Sequence, residues 1–141
     1  MTNLDAKSLF LHAKNVIKGR FPKGEEIISK DAIYSYHYAK DVLKGKFELS
    51  EEAISQNTAY SYYYAKDVLK GRFELGEKAI AKSVVYSYWY IKDIVKGRFK
   101  EGENAIMNSR SYSLVYKDYI FKLYKKGQIS LEDYVEFKML Y

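Results

Sequence analysis

Tyr60-Ser61-Tyr62-Tyr63-Tyr64-Ala65-Lys66-Asp67-Val68-Leu69-Lys70-Gly71-Arg72-Phe73 decides the fold, because the chain writes this stretch again at a constant interval. Its opening Tyr60-Ser61-Tyr62 stands 26 residues after Tyr34-Ser35-Tyr36 and 26 before Tyr86-Ser87-Tyr88, and Tyr112-Ser113 keeps the register. Gly19, Gly45, Gly71 and Gly97 share that period, as do Phe21, Phe47, Phe73 and Phe99. A strict period of this size is the signature of stacked repeats, in which each unit buries its apolar face on its neighbours. The expected fold is all-α: an α-solenoid-like array of helical hairpins. About five 26-residue units are expected, at 5–30, 31–56, 57–82, 83–108 and 109–141. They would form one continuous domain over 1–141, with the first and last units as caps.

Each unit reads as two short helices. Asp5, Asp31, Asn57, Ser83 and Ser109 recur at helix starts, and all are able to accept a bond from an otherwise unpaired amide. The recurring glycines fall where a helix would end in a left-handed residue. Lys18, Lys44, Lys70 and Lys96 precede them and suit the negative end of the helix dipole. The first helix of the second unit is therefore expected over about Ala32 to Lys44. A shorter helix enters at Phe21-Pro22. Glu25, Glu51, Glu77 and Glu103 near its start match the positive end of the dipole. The small residues Gly24, Ser50, Gly76 and Gly102 leave room for a neighbouring backbone or a tyrosine ring. On a helical wheel Ser35, Ala39, Val42 and Leu43 share the inner face, flanked by Tyr36 and Tyr38. In the last unit Leu123 replaces the glycine, so that helix should run to Lys126 and stop at Gly127. Ile129, Ser130, Asp133 and Tyr134 then open a final helix as a capping box with a hydrophobic staple.

Composition narrows the setting. The 16 tyrosines against 7 phenylalanines suit half-buried positions at the edge of a thin core. With no cysteine, disulfides and thiolate metal sites are excluded and a reducing, cytoplasmic setting is expected. No apolar run reaches membrane-spanning length, and the opening residues lack a secretion-signal layout. A net charge of +6 permits an anionic partner.

Tyr64-Ala65-Lys66-Asp67-Val68-Leu69-Lys70-Gly71-Arg72-Phe73, with Glu77 and Ile80 after it, resembles short tandem repeats of tailed-bacteriophage proteins over about residues 8–110. The resemblance implies a viral accessory protein acting in the cytoplasm of a bacterial host. It brings no activity and no functional residue with it.

Catalytic chemistry finds little footing. His12 and His37 are the only histidines and lack metal-ligand spacing. The pairs Glu25-Glu26 and Glu51-Glu52 face different ways on a helix, and serines such as Ser61 read as packing residues. The Lys-Gly-Arg-Phe string follows a helix, the wrong dipole end for phosphate, and reads as a C-cap with a buried Phe. Neither an enzyme, a cofactor nor a metal is expected.

A binding surface fits the pattern better. Tyr34 to Leu49 and Tyr60 to Leu75 differ only at His37 versus Tyr63 and Lys46 versus Arg72. The first difference lies in a varied column of Leu11, His37, Tyr63, Trp89 and Val115. Lysine columns flank it, at Lys40, Lys66 and Lys92 and at Lys44, Lys70 and Lys96. Helices laid side by side would turn these columns into one ribbon of rings and ammonium groups. A bacterial host protein held by Tyr and Trp anchors is the leading partner. Nucleic acid stacked on the rings is the alternative, tempered by Asp41, Asp67 and Asp93 on the same face. A small ligand among tyrosine hydroxyls is a third reading.

Overall fold

The computed structural model describes residues 4–141. Among them all regular structure is helical and no strand occurs. In chain order the helices are α1 (Ala6–His12), α2 (Pro22–Ile28), α3 (Ala32–His37), α4 (Glu51–Ser55), α5 (Thr58–Tyr63), α6 (Glu74–Ile80) and α7 (Val84–Tyr90). They are followed by α8 (Lys100–Met107), α9 (Arg110–Lys125) and α10 (Leu131–Leu140). The chain divides into two compact units, one ending at Ala79 and the other running from Ile80 to Tyr141. Within the first, α1 packs on α2 and α3, α4 on α3 and α5, and α3 on α5. Within the second, α8 packs on α7 and α9, while α9 also meets α7 and α10.

The helix starts follow from local chemistry. Asp5 accepts the amide of Ser8, Asp31 those of Ile33 and Tyr34, Asn57 that of Tyr60, and Ser83 that of Tyr86. Ser109 holds the same position before α9 but makes no such side-chain bond. Ser130 accepts the amide of Asp133 at 3.0 Å, opening α10. At the end of α9, Gly127 is left-handed at φ 70°, and Gln128 N–H returns to the carbonyl of Leu123.

The ends of α1, α3, α5 and α7 depart from expectation. Each helix continues as a π turn, at Ala13–Ile17, Tyr38–Leu43, Tyr64–Leu69 and Ile91–Val95. The left-handed residue is then the lysine, not the glycine: Lys18, Lys44, Lys70 and Lys96 lie at φ between 50° and 56°. The wide turn is the cause. Lys44 N–H reaches back five residues to Ala39 O, and Gly45 N–H bonds the same carbonyl at 3.1 Å. Closing that longer ring requires the left-handed twist one residue early. No side chain crowds Gly19 or Gly45, and nothing in the structure explains glycine there. The wide turn also winds the chain less per residue than the wheel assumes. Within the turn Val42 and Leu43 are consequently only half-buried, while Ser35, Tyr36, Tyr38 and Ala39 are buried.

The core is built on columns of the same period. Tyr38, Tyr64, Tyr90 and Tyr116 are fully buried, as are Ile28, Ile54, Ile80 and Ile106. Burying each isoleucine contributes about 1.5–3 kcal/mol. The small-residue column is filled by a ring, but that ring is phenylalanine. A Cβ on Gly102 would lie 2.7 Å from Phe99 Cδ1 and 2.7 Å from Ser87 Oγ. A Cβ on Gly76 would meet Phe73 and Ser61 in the same way. The serines of the Tyr-Ser-Tyr triplets do more than pack. Ser35, Ser61 and Ser87 donate to the carbonyls of Ile28, Ile54 and Ile80, satisfying the C-terminal ends of α2, α4 and α6.

Candidate binding surface

In the first unit, α1, α3 and α5 share a continuous run of rings, of which Phe10, Tyr36 and Tyr62 are buried. Phe10 lies 6.0 Å from both Tyr34 and His37, centroid to centroid. His37 meets Tyr36 and Tyr60, and Tyr63 meets Tyr36, Tyr60 and Tyr62. His37 and Tyr63 are therefore half-buried, each with one edge in the cluster and one toward solvent. In the second unit Trp89 stands edge-on to Tyr86 at 5.5 Å and is 41% exposed.

Lysines line these rings. Lys40, Lys66 and Lys92 are exposed and lie over the faces of Tyr36, Tyr62 and Tyr88 at 5.6–5.9 Å. The ring four residues earlier supports each aliphatic stem. Lys44, Lys70 and Lys96 are exposed as well, at the left-handed helix ends. The expected aspartates serve as internal partners. Lys14 bonds Asp41 at 2.9 Å, and Lys40 lies 3.7 Å from Asp67, which also accepts the hydroxyl of Tyr36. Burial is the largest influence on Asp41 and works against its ionised form, but the Lys14 bond and the charges of Lys14, His37 and Lys40 together hold the carboxyl below its ordinary range. These half-exposed pairs contribute little stability each, roughly 0–1 kcal/mol. Their effect is to set the spacing between adjacent helices and to remove two lysines from the pool available to an anion.

Beneath this face lies a set of clasps that the sequence pattern did not disclose. Arg20 grips Glu25 with two bonds of 2.7 and 3.0 Å, and Tyr38 donates to the same carboxylate at 2.9 Å. The Tyr38 oxygen also accepts Phe21 N–H at 2.8 Å. Tyr64 repeats the arrangement with Phe47 N–H and Glu51, where Lys46 replaces the arginine. Arg72 grips Glu77 by the same fork. In the second unit Arg98 grips Glu103, which accepts from Tyr116. Glu25, Glu77 and Glu103 are buried acceptors, so their recurrence has a stronger cause than the helix dipole. A recurring Arg or Lys five residues before each of these glutamates was the available signal. Because these hydroxyls are spent on internal bonds, Tyr38, Tyr64 and Tyr116 do not line a ligand site.

The buried phenols give a pH limit. Burial, with the neighbouring Glu25, raises the Tyr38 hydroxyl to about 12. Tyr36, Tyr64 and Tyr116 shift the same way, each chiefly through burial. The fold favours the neutral phenol, so its stabilisation is complete below the unfolded value of about 10. It is lost as pH climbs from there towards 12. An alkaline titration should show tyrosinate absorbance and loss of helical circular dichroism rising together in that window. Ionisation of all sixteen tyrosines near 10 with helix content intact would contradict the arrangement.

No described helix is long and apolar enough to cross a membrane, and the described residues hold no cluster able to bind a metal ion. No protein-family model, curated protein or solved structure matches the chain.

Proposed function

We propose that this is a non-enzymatic binding protein, an α-solenoid-like array that presents the ring-and-lysine face of its long helices to a protein partner. The partner is a bacterial host protein, and the chain is a phage accessory protein that modulates or inhibits it in the host cytoplasm. The observation that carries the reading is Trp89, a large ring left 41% exposed on the same helix as Lys92 and Lys96. Tryptophan, tyrosine and cationic side chains around a firm backbone are the make-up of interface anchors. The same clasp recurring at 26-residue intervals within the first unit, at Tyr38 and Tyr64, supports stacked repeats. His37, Tyr63, Lys40, Lys66, Lys44 and Lys70 would extend the contact over that unit.

Nucleic acid is the second reading, favoured by the alternation of rings and lysines. It is weakened by Asp41 and Asp67, which already hold Lys14 and Lys40. One comparison separates the two. Tagged wild type and the Trp89→Ala/Tyr63→Ala variant are used to capture material from bacterial lysate, with and without nuclease. The variant should keep its helicity, lose about 1–2 kcal/mol from ring contacts, and retain at least tenfold less of one nuclease-resistant protein. Retention equal to wild type would overturn the surface assignment, and nuclease-sensitive retention would select nucleic acid.

A further inference from the structure

The ladder of lysine and aspartate breaks at one place. Asp41, Asp67 and Asp93 recur at 26-residue spacing, and the next position in that column is Tyr119. Lys14 and Lys40 each face the aspartate of the following copy. Lys92, the corresponding lysine of the second unit, instead lies 4.9 Å over the Tyr119 ring. A cation beside a tyrosine keeps its full charge, whereas a cation beside an aspartate is neutralised.

That lysine opens onto a cleft of about 290 Å³. Lys92, Lys96, Lys122 and Lys126 line it with Tyr119 and Gln128, and Leu123 forms part of its wall. Four lysines thus line one concavity whose lining contains no carboxylate. Asp118 lies 2.7 Å from Lys122 and neutralises it, which leaves Lys92, Lys96 and Lys126 as the unneutralised cations. It lines a different cleft, with Lys117, Phe121 and Tyr134. The equivalent hollow of the first unit, among Lys40, Lys44 and Lys70, contains Asp67. Helix C-termini explain why lysines gather at both places. They do not explain why only one of the two hollows lacks its acid.

We propose that this cleft binds a compact phosphate-type polyanion, a pyrophosphate group either as the inorganic ion or at the end of a small ester. Three unneutralised lysines on one small concavity, with a fourth shared with Asp118, match charge concentrated on a few oxygens better than a diester chain with one charge per phosphate. Gln128 supplies a neutral donor, and the Tyr119 ring holds Lys92 at the rim. The site shares Lys92 and Lys96 with the macromolecular contact proposed above, but it is tested through Tyr119, Lys122 and Lys126, which that contact does not use.

The test is calorimetric titration of the full chain at low salt with inorganic pyrophosphate and, in a second arm, ADP. The tighter of the two identifies the free ion or the ester as the source. Tyr119→Asp restores the acid that the three preceding copies carry and should weaken binding at least tenfold while circular dichroism stays unchanged. Lys122→Gln/Lys126→Gln, two exposed changes, should do the same and serves if Tyr119→Asp disturbs the fold. Lys30→Gln/Lys82→Gln removes the same charge elsewhere and should leave binding within about twofold. Absence of saturable binding to either anion, wild-type affinity in either cleft variant, or an equal loss in the control would overturn the proposal. A failure here leaves partner capture by the Trp89 surface unaffected, so the two results are read separately.

Discussion

Glu103→Ala should destabilise the protein by about 3–5 kcal/mol, the usual cost of removing one partner from a buried ion pair. The side chains of Arg98 and Glu103 are only 4% and 1% exposed. Their two bonds are 2.8 and 2.7 Å, and Tyr116 donates to the same carboxylate at 2.8 Å. Truncation strands the guanidinium and the phenol together. Arg98 keeps Asp133 O and Glu136 at 3.0 and 2.9 Å, but Glu136 is half in water and does not replace what is lost. The matching change at Glu25 should cost less, about 1–2 kcal/mol, because Arg20 is 66% exposed and water takes up its charge. Urea unfolding of both variants measures the difference. Equal losses would mean that burial of the pair does not set its strength.

Tyr64→Ala should also cost about 3–5 kcal/mol, the range for emptying a large buried aromatic site. The ring is fully buried, 5.1 Å from Phe73, with its hydroxyl held between Phe47 N–H and Glu51. Tyr64→Phe separates the two contributions. It keeps the ring and leaves the buried Phe47 amide without its acceptor, an expected loss of about 1–3 kcal/mol. If Tyr64→Phe unfolds at the wild-type urea concentration, the hydroxyl contributes nothing and the column is held by packing alone.

Features decided by neighbouring residues were readable in advance. The caps at Asp5, Asp31, Asn57 and Ser83 and the stop at Gly127 each depend on a few consecutive positions. The π turns were not readable, because a helical wheel presumes its own rotation per residue and Tyr38–Leu43 follows another. The clasps escaped for a different reason. A glutamate in the first turn of a helix already has an explanation in the dipole, and only the burial of Glu25 and Glu103 requires a partner as well. On the candidate surface, exposure of the lysine columns was legible from spacing. The bonds Lys14–Asp41 and Lys40–Asp67 were not, since residues 27 apart meet only once successive helices lie side by side. Tyr119 could have been found by alignment alone, but its meaning required knowing what Lys92 would otherwise face.

The left-handed lysines bind two properties of this chain together. An L residue with a side chain sits in that region at a cost of roughly 1–2 kcal/mol, which glycine escapes. At Lys18, Lys44, Lys70 and Lys96 the glycine is present but one position too late to relieve it. Exchanging lysine for glycine would therefore relax four helix ends and erase an entire row of positive charge in the same stroke. Any variant of this protein selected for heat resistance alone has that route open, and would arrive at a calmer backbone with a much less basic face.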